Sequence, residues 1–160
     1  MRTFISICAV ALVLMLDASC GNTQCRASDR EQLIGAWKLV ELDRPAPDGT
    51  LQRIDCSGMF VFTRDGHLSV QVMEREPKRA VSPAGPEQYS QGGCEASYGS
   101  YAVDERAHTF TFHVEGALVR TLVGKGLPHA YKLMRNRLIV KSVRPDEHWR
   151  VVWGAPDGCA

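Results

Sequence analysis

His113 and Glu115 stand two apart in Thr109-Phe110-Thr111-Phe112-His113-Val114-Glu115, a segment whose alternation reads as a β-strand. Residues two apart on a strand point to the same face. An imidazole and a carboxylate on one face are the parts of a general acid–base pair, which works when both reach a bound substrate within hydrogen-bond distance. With His129 opposite, the same residues would make a His, His, carboxylate set of the kind that zinc or iron accepts. The spacing is permissive and no His-x-x-x-His or Cys-x-x-Cys accompanies it, so neither a metal nor a cofactor is expected. The plainer role is a polar pair that orients a ligand or bonds to backbone. The chain carries no Ser/His/Asp signature and no phosphate-binding glycine loop.

A second candidate surface lies at 57–73. Asp65-Gly66 reads there as a two-residue hairpin turn, since both residues tolerate positive φ. One face of the hairpin then carries Phe60, Phe62, Ser69, Gln71 and Met73, and the other Met59, Val61, Leu68, Val70 and Val72. Ligand pockets combine apolar walls with a few placed polar groups. The Phe/Ser/Gln face is therefore expected to line a cavity, and the competing assignment turns it to water.

The elements that must position these residues are almost all strands. Ser28-x-x-Glu31 is a capping box that opens a short helix, which Gly35 ends. Strand patterns follow at 36–42, 57–64, 67–73, 96–103, 108–115, 129–134, 137–143 and 148–153. With no crossover helix among them, they predict an all-β, eight-stranded antiparallel up-and-down barrel behind that short helix. Connections 65–66, 104–107 and 135–136 are tight, whereas 43–56, 74–95 and 116–128 are long, with 144–147 at their end. Alternate connections of such a barrel fall at opposite ends, so one end is shut and the other is an open mouth. Gln71, Met73, Tyr98, His113, Glu115, His129, His148 and Trp149 fall toward the mouth, and His67 and His108 toward the closed-end turns.

The full chain has 160 residues, 44% apolar and 23% charged, with a net charge of +1. That is one globular domain without the basic field that nucleic acid requires. Arg2 precedes an apolar run from Phe4 to Leu16, the length of a signal-peptide core, so 1–20 is expected to be a signal and 21–160 the barrel domain. Ala18-Ser19-Cys20-Gly21 fits either plain cleavage or lipidation of Cys20, although Asp17 departs from the lipidation pattern; an uncleaved membrane anchor is the third route. The expected location is periplasmic or outer-membrane lipoprotein, or secreted. Six cysteines suit an oxidising compartment. Cys25 precedes the first strand and Cys159 follows the last, both at the closed end, while Cys56 and Cys94 precede the second and fourth at the mouth. This parity predicts disulfides Cys25–Cys159 and Cys56–Cys94.

A short helix running into Gly35-Ala36-Trp37 resembles lipocalins, whose tryptophan packs across the closed end of the barrel. More specifically, Leu33–Val40, Phe62–Gln71, Tyr98–Asp104 and His113–Leu118, with Gly124 and Trp153, resemble the bacterial and fungal lipocalin-like domain family over roughly 30–153. The family often has Arg where His129 stands. The resemblance implies a barrel that holds a small hydrophobic or amphipathic molecule, and the protein is expected to be a monomer or weak homodimer. Phe60, Phe62, Ser69, Gln71, Tyr98, Tyr101, His113, Glu115 and His129 are the expected ligand-binding residues. Two other functions compete: an isomerase or cyclase type of enzyme using His113 and Glu115, and a protein-binding barrel that inhibits proteases or lysozyme. The first needs a cavity of a few hundred Å³, as the carrier does; the second predicts a filled interior.

Overall fold

The computed structural model describes residues 27–46, 48–75, 94–145 and 147–155. The N-terminal segment with Cys20, both halves of the expected Cys25–Cys159 pair and most of the 74–95 connection lie outside them.

Helix α1 (Asp29–Leu33) opens on the capping box, with Ser28 Oγ accepting from the Glu31 N–H and the Glu31 carboxylate accepting from the Ser28 N–H. It leads directly into β1 (Gly35–Pro45), followed by β2 (Leu51–Ile54), β3 (Cys56–Phe62), β4 (His67–Glu74), β5 (Cys94–Asp104), β6 (Thr109–Ala117), β7 (Gly126–Met134), β8 (Arg137–Ser142) and β9 (Arg150–Gly154). All pairings are antiparallel. Strands β1 and β3 to β9 follow one another around the sheet, and β9 returns to β1, which closes an eight-stranded barrel as expected. The alternation of loop lengths holds. The connections at 63–66, 105–108 and 135–136 are short and share one end, while those after β4, β6 and β8 are longer and share the other.

The extra strand is β2, which lies in the first long connection and extends the sheet beside the outer half of β1. Its turn repeats the chemistry of the β3–β4 turn. In each, the strands are closed by a backbone bond (Ala46 N–H to Thr50 O at 2.8 Å; Thr63 N–H to His67 O at 2.9 Å) and an Asp–Gly pair ends the loop with glycine at positive φ. Both are three-residue loops with a left-handed glycine, the commonest alternative to two-residue hairpins. On the outer surface, Arg53 from β2 and Arg150 from β9 both bridge Glu41 and Asp43 of β1, tying three strands together.

The core fills the closed half. Leu33 is fully buried, and Trp37 packs there with its indole N–H donating to the Leu33 carbonyl at 2.8 Å. That bond satisfies one of the carbonyls a helix leaves unpaired at its end. Tyr101 reaches the Thr63 carbonyl at 2.9 Å, and Tyr131 donates to Asp29 at 2.9 Å, fastening α1 beneath the barrel. Phe62 sits between Phe60, Tyr101 and Phe110, with ring centroids 4.5, 5.0 and 5.4 Å away.

The expected Cys56–Cys94 disulfide is absent, and both are thiols. Parity places both at the mouth, but β4 runs between their strands. Cys56 pairs with Glu74 and Cys94 with Met73, so the two point to opposite faces of the sheet, roughly 10 Å apart across two strand spacings. A disulfide needs Cα atoms within about 7 Å.

Candidate functional site

Above Phe60 the inward rows leave a cavity of about 330 Å³ beneath the mouth. Its wall is mostly apolar, including Leu42, Val70, Val72, Phe112, Val140 and Val151. Phe60 and Phe110 form the floor with Trp153, whose ring lies 5.0 Å from that of Phe60. Strand alternation accounts for most of this wall, since even-numbered positions of β3, β4 and β6 all face inward over much of their length.

Polar groups are few. His129 of β7 lies against Phe110, with centroids 5.1 Å apart and rings 12° from parallel, and has Trp149 on another side at 5.5 Å. Its Nδ1 is 2.8 Å from the Leu127 carbonyl, which can only accept, so the proton sits on Nδ1 and Nε2 is left as an acceptor. Burial pushes the His129 pKa down, which keeps the ring neutral near pH 7. Glu95 opens onto this cavity and onto two adjoining recesses. Solvent reaches its side chain through the mouth, yet protein surrounds the carboxyl closely enough that desolvation raises its pKa. Among the described residues it has no ion-pair or hydrogen-bond partner. Arg44, the one cation on the cavity lining among the described residues, is bonded to Glu74 at 3.1 Å. The Trp153 indole N–H is buried and no protein group among the described residues accepts from it. Burial raises the Cys56 thiol pKa, which favours the protonated thiol.

Of the residues expected to bind a ligand, Phe60 and His129 line this cavity. Phe62 and Tyr101 lie below its floor in the closed-end core. Ser69, Gln71 and Met73 point outward, on a groove shared by Met59 and Cys94 in the case of Gln71 and Met73. The reason is the β3–β4 turn. A three-residue loop pairs Phe62 with Leu68 and Phe60 with Val70, where a two-residue loop would shift one strand by one position. Such a shift exchanges the faces of that strand. The inward face thus combines Phe60 and Phe62 with Leu68, Val70 and Val72.

His113 and Glu115 do project from the same side of β6, but it is the outer side, because Phe110, Phe112 and Val114 face in. They therefore do not meet His129, and the three-ligand arrangement does not form. Tyr98 is 60% exposed on the outer wall, where its ring crosses Gly116. His148 is exposed beside Trp149, and His67 and His108 lie exposed at closed-end turns beside Asp65 and Asp29. Sequence reasoning missed Arg44 and Glu95, and it named Trp153 without placing it on the cavity. Carrying the alternation Tyr101, Gly99, Ser97 one step further back would have found Glu95.

A family model for a lipocalin-like domain matches residues 34–152. No curated protein matches the chain.

Proposed function

The chain belongs to the lipocalin-like domain family, and on that footing we propose that it is an exported carrier for a small hydrophobic or amphipathic molecule held in its barrel. The observation that carries this reading is the cavity of about 330 Å³, apolar on its walls and, among the described residues, open at the end where the long connections gather. That volume is at the small end of ligand pockets, which suits a ligand of modest size. The export part rests on the charged and apolar pattern of Arg2 to Leu16, with Cys20 as the lipidation site. Mass spectrometry of protein from its own host, which would read both a lipidated Cys20 and a retained small molecule, tests these two parts together.

Binding itself is tested with an uncharged fluorophore, N-phenyl-1-naphthylamine, titrated into the purified protein. One molecule per chain should bind. Val140→Trp, which fills the cavity from the wall, should abolish binding, and Tyr98→Ala on the outer surface should leave it within twofold. Equal loss in both variants, or no binding by the parent protein, would remove the carrier reading. His113 and Glu115 lie outside the cavity wall, so a double substitution there should not alter the affinity.

A further inference from the structure

We propose that the ligand is a small organic amine, its apolar body among the aromatic walls and its ammonium set against the Glu95 carboxylate. This deepens the carrier reading and rests on it. The charges around the mouth select among ligand classes. Arg44 is committed to Glu74 at 3.1 Å, and Arg144 to Glu147 at 2.8 Å. Lys125 opens onto the neighbouring recess that Glu95 shares, but not onto the cavity, and makes no ion pair among the described residues. His129 offers a neutral acceptor nitrogen. Glu95 is thus the one charge that opens onto the cavity without a partner among the described residues.

A carboxylate without a partner at the mouth of an apolar cavity leaves its charge free to pair, and an ammonium brought beside it makes a charge-assisted hydrogen bond. The remaining wall suits a cation as well. Trp149, Trp153, Phe60 and Phe110 line the space, and cations are attracted to aromatic rings. A ligand carboxylate would meet Glu95 as a like charge, and the cation best placed to receive it is already paired. Fatty acids and similar anions are therefore disfavoured. An alcohol of the same shape gains a hydrogen bond but no charge pairing.

The test compares three ligands with one body: 2-phenylethylamine, 2-phenylethanol and phenylacetate, each competing against N-phenyl-1-naphthylamine on the full chain at pH 7. The amine should displace the fluorophore at a concentration at least tenfold below that of the acid and below that of the alcohol. Glu95→Gln should erase this order, bringing the displacing concentrations of the three ligands within about threefold of one another. Glu95→Ala, with circular dichroism as the check on folding, should do the same. If the acid competes as well as the amine, or if the amine preference survives in both variants, the proposal is overturned while the carrier reading stands. If the fluorophore does not bind, the carrier reading falls and this proposal with it.

Discussion

At Trp37 one side chain meets two structural needs, filling the space beneath the barrel and donating to the end of α1. Trp37→Ala should therefore cost about 3–5 kcal/mol in urea denaturation, the range for emptying a large aromatic site in a packed core. A loss below about 1 kcal/mol would show that Trp37 is not the plug. His129 predicts a pH dependence. Its folded-state pKa lies below the ordinary value of 6.5, so on acidification the unfolded chain takes up a proton before the folded one does. Stability from this residue is present above about pH 6.5 and is lost as pH falls through the depressed folded value. Urea midpoints at pH 7.5 and 5.5 should differ less in His129→Gln than in the parent protein. Glu95 acts with the opposite sign, because its raised pKa makes the folded state bind the extra proton and lose stability as pH rises. An unchanged pH slope in His129→Gln would argue against the buried neutral ring.

Among the elements, β5 and β6 depend on a bulge. Tyr98 pairs with Gly116 and Gly99 with Val114, so Glu115 is the extra residue on β6. A side chain at Gly99 would run into the His113 carbonyl, leaving no room for even a methyl group. Gly99→Ala should cost about 1–3 kcal/mol, the usual range for overpacking, and should loosen hydrogen-exchange protection along β5 and β6. Protection equal to the parent's would mean that the bulge relaxes without cost. The strands themselves were legible in the sequence because alternation and turn residues are local signals. Strand faces were less so. Asp65-Gly66 announces a turn, but whether its loop has two or three residues depends on the backbone bond from Thr63 to His67, and that single residue decided whether Ser69 and Gln71 or Leu68 and Val70 faced the cavity. Asp48-Gly49 gave the same signal for β2 and stood unread in a stretch whose strand is four residues long and without alternation. On β6 the shared face of His113 and Glu115 was legible, but its direction follows from the larger apolar row opposite.

For the molecule as a whole, a filled cavity should be a stabilised barrel. A ligand present at a hundred times its dissociation constant adds about 2.7 kcal/mol if it binds the folded chain alone. Thermal melts with and without 2-phenylethylamine should show this rise in the parent and much less of it in Glu95→Gln; equal rises would place the stabilising contact elsewhere. The seam where β9 meets β1 carries a different consequence. Lys38 pairs with Gly154 and Leu39 with Trp153, so the ring is joined by residues from nearly opposite ends of the described chain. During synthesis β1 emerges early and β9 last, and until then one edge of β1 has no partner to cover it. A sheet lacking β9 would have two bare edges, and such edges invite pairing with other chains. Folding is consequently gated by the most distant contact in sequence, which belongs to the slow regime of milliseconds to seconds. A chain halted before Arg150 would leave both β1 and β8 with an edge open to pairing with other chains.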